Sequence, residues 1–143
     1  MAAVRRADAT WEGDLTSGSG VVSANTSQLF TDLPVSWASR TAAPGGRTSP
    51  EELLAAAHAA CFSMALSHGL AQDGHAPERL ETSATVTFVP GTGITKSALT
   101  VTGSVPGLDE DGFRQAAEQA KENCPVSSAL KGNVELELDA RLG

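Results

Sequence analysis

Apolar and polar residues alternate with a period of two, or form short apolar runs, in six segments of the chain, and this pattern predicts strands. The six alternating or short apolar segments are residues 5–12, 21–24, 33–38, 80–89, 94–105 and 134–142. The fourth and fifth flank a tight Pro-Gly-Thr-Gly sequence at residues 90–93, so they predict a long hairpin. Glycine and serine at residues 17–20 predict that the first two strands also form a hairpin.

Residues 50–70 are apolar on nearly every side and predict one long helix. Ser49 is a favourable N-cap, Pro50 suits the first helical position, and Glu52 stands three residues after Ser49, as in a capping box. Because the helix is rich in alanine and has no polar face, we expect it to be buried on most sides and to form the spine of the domain.

A second amphipathic pattern over residues 109–123 predicts a shorter helix. Its buried face is predicted to carry Phe113, Ala116, Ala117 and Ala120. Cys124-Pro125 interrupts it, and residues 126–131 predict one or two further helical turns. No internal repeat appears in the 143 residues. The sequence therefore predicts one α+β domain, residues 1–143, in which antiparallel strands pack on a long helix.

The charge of the chain narrows the classes of partner. The 10 basic and 17 acidic side chains give a formal net charge of −7, which argues against nucleic acid and anionic membrane surfaces. We expect no apolar run as long as a membrane span and no secretion signal, and hence a cytoplasmic protein. Only two cysteines occur, so in a reducing compartment they are spare thiols, a redox pair or part of a metal site.

A metal site is the least supported of these three interpretations. The histidines at positions 58, 68 and 75 and the two cysteines lack the spacing of a CxxC or HExxH motif, so no metal site is predicted. Cys61 itself remains open to two interpretations, a buried packing residue or a shielded nucleophile.

If the two cysteines are a redox pair, the negative charge of a reactive thiolate must be stabilised. Cys124 lies where a helix is interrupted, so its backbone has room to move, whereas Cys61 lies inside an apolar helix. Burial alone raises the pKa of a thiol, so a reactive thiolate at Cys61 requires a cation nearby. Arg40 is a candidate for that cation, and Glu51 is a candidate for the carboxylate that holds it.

Two cysteine segments together resemble the OsmC/Ohr family, the osmotically inducible and organic hydroperoxide resistance proteins. They are residues 50–66, which begin with Pro-Glu-Glu-Leu and end with Ala-His-Ala-Ala-Cys-Phe-Ser-Met-Ala-Leu, and residues 124–127, with the sequence Cys-Pro-Val-Ser. Residues 11–14, 93–96 and 105–107 resemble it too, so the resemblance covers essentially the whole chain. It implies antiparallel sheets wrapped around a long central helix in an intertwined homodimer, and a thiol peroxidase that acts on organic hydroperoxides in stress defence.

The resemblance also implies roles for four residues. Cys61 matches the peroxidatic cysteine, which becomes a sulfenic acid, and Cys124 matches the resolving cysteine, which closes a disulfide with it. Arg40 matches the arginine that stabilises the thiolate, and Glu51 matches the carboxylate that orients this arginine. No cofactor is implied, because a dithiol such as a dihydrolipoyl group restores the enzyme.

The position of the arginine indicates the OsmC branch. The Ohr branch carries its arginine in the first hairpin loop, whereas residues 14–20 contain none here. Arg47 is closer in sequence to Glu51 and is a rival of Arg40 for the ion pair. His58 favours the same branch, and we expect it to be a packed helix histidine rather than an indispensable base.

Helix geometry constrains this assignment. Glu51 and Cys61 are ten residues apart, or about 15 Å along a straight helix, so within one chain they cannot share a site. A shared site would require Glu51 from the partner subunit. Two rival functions remain open: thiol–disulfide exchange without peroxide chemistry, and a stress-induced dimer that binds an apolar ligand.

Overall fold

Two three-stranded sheets and four helices form the protein in a computed structural model that describes all 143 residues. This content confirms the predicted α+β class. In chain order the elements are β1 (Ala7–Glu12), β2 (Ser19–Ala24), β3 (Leu33–Val35), α1 (Trp37–Thr41), α2 (Pro50–Gln72), β4 (Arg79–Val89), β5 (Gly93–Ser104), α3 (Glu110–Asn123), α4 (Pro125–Leu130) and β6 (Glu135–Leu142).

The chain divides into two compact units, Met1–Leu53 and Leu54–Gly143. The first unit holds the sheet β1-β2-β3 and α1, and the second holds the sheet β4-β5-β6, α3, α4 and most of α2. The assignment of residues 1–143 to a single domain stays a prediction.

In the first unit, the three strands form an antiparallel meander in which β2 is central. The strand predicted over residues 33–38 is wrong in its second half, because β3 ends at Val35 and α1 begins at Trp37. Ser36 caps α1: its hydroxyl accepts the Ser39 N–H at 3.1 Å, and the Ser39 hydroxyl accepts the Ser36 N–H at 3.0 Å. This reciprocal capping box starts a helix where alternation alone predicts a strand.

In the second unit, β4 and β5 form the predicted antiparallel hairpin. β6 pairs with β5 in parallel, which differs from the antiparallel arrangement expected from the sequence. Parallel neighbours need a crossover connection, and α3 and α4 provide it. Asp109 caps α3 by accepting the Gly112 N–H at 2.8 Å. The buried face of α3 is largely as predicted, with Phe113, Ala117 and Ala120 buried and Ala116 partly so.

The long helix α2 begins as predicted and runs without a break to Gln72. The Ser49 hydroxyl accepts the Glu52 N–H at 3.1 Å, which confirms Ser49 as the cap. The predicted capping box is only half formed, because the Glu52 carboxylate accepts the Thr48 hydroxyl at 2.6 Å instead of the Ser49 N–H.

One face of α2 packs into the core of the second unit and the opposite face is exposed. The buried face carries His58, Phe62, Leu66 and Leu70. The exposed apolar face of α2 comprises Ala56, Ala57, Ala60 and Met64. Met64 is 72% exposed, so the expectation that this helix is buried on most sides is wrong for the single chain.

By length and composition alone, α2 is long and apolar enough to cross a membrane. The expectation that no apolar run reaches that length is therefore wrong. One such helix is weak evidence for a membrane span, because the core helix of a soluble protein passes the same test. This helix also makes a polar contact with the second sheet, where the Ser63 hydroxyl donates to the Thr82 hydroxyl at 2.7 Å.

Candidate active site

The two cysteines lie together in the second unit. Cys61 is partly buried on α2, whereas Cys124 is completely buried between α3 and α4. Both are free thiols, and they are close enough that each shifts the pKa of the other. The structure thus brings together two residues whose meeting the sequence implied only through resemblance.

Cys124 is placed by the break between two helices. Its N–H donates to the Ala120 carbonyl at 2.8 Å and ends α3, and the same residue is the N-cap of α4. Pro125 occupies the first position of α4, where its missing N–H costs nothing. The N–H groups of the next two residues are at the start of α4 and are free to donate to sulfur. The Val126 N–H donates to both cysteines, and the Ser127 N–H donates to Cys124.

The pKa values of the two thiols are shifted in opposite directions. Burial raises the pKa of Cys61, and the neighbouring Cys124 raises it further against the lowering effect of the Val126 N–H. Burial also acts to raise the pKa of Cys124, but the net shift is downward. The N–H and hydroxyl of Ser127, the Cys61 thiol and the Val126 N–H together outweigh burial there. All groups that set the pKa of Cys61 belong to the second unit, and none of them is a cation.

Arg40, which is partly buried, and Glu51, which is buried, form an ion pair in the first unit. The Arg40 Nε donates to both carboxylate oxygens at 3.0 Å, and its Nη2 lies 3.0 Å from Oε2. Glu51 is 7% exposed, and the Arg40 guanidinium also lies over the Trp37 ring, 5.8 Å from its centre. Between the two rivals named from the sequence, Arg40 rather than Arg47 is the partner of Glu51.

A cavity of about 480 Å³ opens beside Arg40 in the same unit. Apart from Arg40 and Ser36, its walls are apolar: Ala9, Trp11, Leu15, Val22, Val35, Trp37, Pro50 and Leu53. Such a cavity accepts an apolar group and places it next to a guanidinium.

His58 lies on the buried face of α2 and is more than a packing residue. Its Nδ1 is 2.6 Å from the Ser97 hydroxyl and its Nε2 is 2.8 Å from the Ser127 hydroxyl. Sequence reasoning missed both serines. Ser127 had a signal, since it stands three residues after Cys124 at the start of α4, whereas Ser97 had none. No group of three or more His, Cys, Asp or Glu side chains is arranged to hold a metal ion.

A family model described as OsmC-like protein matches residues 43–139. The chain belongs to the OsmC-like family. Peroxiredoxin OsmC of Escherichia coli (strain K12) is 41% identical over 136 residues, which cover 93% of this chain and 94% of that protein. The organic hydroperoxide resistance protein OhrB of Bacillus subtilis is 32% identical over 95 residues, 66% of this chain and 70% of that protein. The crystal structure of OhrB matches with a TM-score of 0.73 at 27% identity, over 94% of this chain and 97% of that chain.

These comparisons confirm the predicted family and fold class. They also support the predicted enzyme class, because the OsmC-like relatives are named as a peroxiredoxin and as organic hydroperoxide resistance proteins, that is, as cysteine-based peroxidases. A peroxidase function in stress defence is consistent with those names. The individual roles of Cys61, Cys124, Arg40 and Glu51 stay predictions.

Proposed function

We propose that this protein is a cysteine-based peroxidase that reduces organic hydroperoxides to alcohols in defence against oxidative and osmotic stress. The observation that carries the proposal is the placement of two free thiols, Cys61 and Cys124, where each shifts the pKa of the other. Two neighbouring thiols of this kind can be oxidised to a disulfide. Membership of the OsmC-like family supplies the peroxide chemistry.

The proposed reaction has three steps. The Cys61 thiolate attacks the terminal oxygen of the hydroperoxide, the O–O bond breaks, and an alcohol leaves behind a sulfenic acid. Cys124 then attacks the sulfenic sulfur, forming the disulfide and releasing water. A dithiol co-substrate such as a dihydrolipoyl group reduces this disulfide by exchange. These steps use only side chains and the dithiol, so we propose that no cofactor is required.

The cation that Cys61 requires comes, in this proposal, from a second subunit. Because α2 is unbroken, Glu51 and Cys61 stay about 15 Å apart along its axis within one chain. An obligate intertwined homodimer of single-domain subunits would bring the two groups together across the subunit interface. In that dimer the partner's Arg40 faces Cys61, and the partner's Glu51 orients this arginine. The exposed apolar face of α2 supports such an assembly, since burying it gains free energy.

The cavity beside Arg40 determines the substrate class in the proposed dimer. Its apolar walls receive the alkyl group while the peroxide oxygens meet the guanidinium. Hydrogen peroxide has no alkyl group to bury, so we expect organic hydroperoxides to be preferred. We propose a cytoplasmic location without nucleic-acid or membrane partners, in keeping with the formal net charge of −7.

Turnover by the purified protein tests this function. With dihydrolipoamide as reductant, we expect kcat/KM for tert-butyl hydroperoxide to exceed that for hydrogen peroxide by ~10²-fold, since burial contributes about 0.8 kcal/mol for each of four carbon groups. Disulfide exchange without peroxide consumption would instead identify a thiol–disulfide exchange protein. Loss of both activities, with retained binding of an apolar ligand, would favour the ligand-binding dimer.

The proposed dimer predicts that a charge at Met64 on α2 weakens the association of the subunits. Met64→Asp places a charge in the middle of the exposed apolar face of α2, so we expect light scattering to show monomers at concentrations where the wild type is dimeric. Peroxidase activity should fall with the dimer fraction, because each site loses the partner's Arg40. Gln119→Asp is the matched control, since it adds the same charge to the exposed side of α3. A Met64→Asp variant that remains dimeric would place the interface elsewhere.

A further inference from the structure

A chain of buried side chains connects the second sheet with the cysteine pair. Ser97 on β5 contacts the Nδ1 of His58 at 2.6 Å, and the Nε2 of His58 contacts Ser127 on α4 at 2.8 Å. The Ser127 hydroxyl continues the chain to the sulfur of Cys124. All four residues are at most 2% exposed, so water does not compete for these hydrogen bonds.

The tautomer of the His58 imidazole sets the direction of donation along this series of hydrogen bonds. Burial lowers the pKa of His58, so the ring is neutral and carries one donor and one acceptor nitrogen. When Nε2 carries the hydrogen, it donates to Ser127, and Ser127 donates its own hydrogen to the Cys124 sulfur. When Nδ1 carries it, Ser127 donates to Nε2 and can only accept from Cys124. The tautomer of His58 therefore decides whether Ser127 stabilises a thiolate or a thiol at Cys124.

The surroundings of Cys124 favour the first direction. The backbone N–H groups of Val126 and Ser127 already donate to this sulfur, as does the Cys61 thiol. Donors stabilise a thiolate, and a hydroxyl that donates from the same side adds to them. With the hydrogen on Nε2, Nδ1 accepts the Ser97 hydroxyl, so both contacts of the ring are hydrogen bonds in this tautomer.

We propose that His58 is a positioning residue for the resolving step: acting through Ser127, it holds a hydroxyl donor on Cys124 and keeps this sulfur ready to attack the sulfenic acid of Cys61. This inference rests on the proposed function. In the step, the S–S bond forms and the S–O bond breaks. The departing hydroxide takes the proton that Cys124 has given up, so water leaves. The sulfenic sulfur is reduced and the Cys124 sulfur is oxidised, with the hydroperoxide of the first step as the oxidant.

Single-turnover mass spectrometry separates the two steps. Reduced protein is mixed with one equivalent of tert-butyl hydroperoxide, and the sulfenic acid and disulfide forms are followed over time. In Ser127→Ala we expect sulfenic acid formation to stay within ~2-fold of wild type while disulfide closure slows by ~10-fold or more, the usual effect of losing a hydrogen bond to a charged group. Ser127→Thr keeps the hydroxyl and should restore closure to within ~3-fold.

A double variant tests whether His58 acts through Ser127. His58→Gln should slow closure, but adding it to Ser127→Ala should slow closure by no more than a further ~2-fold, because the hydroxyl it positions is already gone. Independent, multiplying effects would indicate a purely structural histidine and overturn the proposal. Ser63→Ala is the control, since it removes an α2 hydroxyl bonded to Thr82 instead of a cysteine, and both steps should be unchanged.

A peroxide-free measurement keeps the test independent of the proposed function. The equilibrium of the cysteine pair with lipoamide should shift by ~10-fold toward the disulfide in Ser127→Ala, or by about 30 mV for this two-electron couple, because the reduced thiolate has lost a donor. If the wild type consumes no peroxide but this shift occurs, the proposed function fails, and the resolving step with it, whereas the hydroxyl donor that Ser127 holds on Cys124 stands. If the equilibrium and the closure rate both stay within ~2-fold of wild type, the positioning role is wrong.

Discussion

Cys61→Ser is expected to abolish the reduction of tert-butyl hydroperoxide, lowering kcat/KM by ~10³-fold or more. A serine hydroxyl stays protonated at neutral pH, and the apolar surroundings of position 61 hold it further from ionisation. Since serine is close to cysteine in volume, the packing of α2 is kept and the loss reports on chemistry. Peroxide consumption with dihydrolipoamide measures it, and a variant that kept a tenth of wild-type activity would rule out Cys61 as the nucleophile.

Cys124→Ser is the informative companion of Cys61→Ser. We expect one equivalent of peroxide to be consumed at the wild-type rate, after which the Cys61 sulfenic acid accumulates and turnover stops. Because the pKa of Cys124 is lowered and that of Cys61 is raised, this variant tests whether Cys124 is the nucleophile instead. If Cys124→Ser showed no stoichiometric consumption while Cys61→Ser did, the two roles would be reversed.

Arg40→Met is expected to slow sulfenic acid formation by ~10²-fold, because it removes the cation proposed to stabilise the Cys61 thiolate and the developing charge on oxygen. It also leaves Glu51 buried without its ion-pair partner, which we expect to lower the free energy of unfolding by about 3 kcal/mol. Stopped-flow kinetics with excess peroxide measures the first effect. Denaturant unfolding at fixed protein concentration measures the second.

Three further variants separate charge, geometry and stability. Arg40→Lys keeps the charge but not the fork that grips both oxygens of Glu51, so we expect a smaller loss of ~10-fold. Arg40→Met with Glu51→Leu removes the unpaired carboxylate and should recover stability without recovering the rate. Arg47→Met should change neither, and a large loss of activity there would transfer the proposed role from Arg40 to Arg47.

Local signals determined how much of the fold could be predicted. Ser49 and Asp109 cap the two main helices as their positions indicated, and the hairpin over residues 80–105 followed from alternation around one turn. Two features depended on competing or distant interactions. The capping box of Ser36 and Ser39 outweighed the strand pattern around Trp37, and the parallel pairing of β6 depends on a crossover that alternation does not encode.

The residues of the candidate site were also predictable only where local signals were present. Arg40 and Glu51 were named as a pair, and the structure selected Arg40 over Arg47, although Arg47 is nearer to Glu51 in sequence. Contact between Cys61 and Cys124 was implied by resemblance, because no periodicity connects positions so far apart. The partners of His58 lie 39 and 69 residues away, at distances where spacing carries no information.

The helix break at Pro125 makes part of the environment of the cysteine pair independent of side-chain identity. Two of the groups that reach its sulfurs are peptide N–H groups at positions 126 and 127, and every amino acid except proline provides the same donor. Exchanges of Val126 for another branched apolar residue therefore leave the electrostatics of the thiols unchanged, whereas a second proline there removes a donor shared by both sulfurs. Part of the reactivity of this site is thus encoded in the path of the main chain, and the Ser127 hydroxyl adds the part that depends on a side chain.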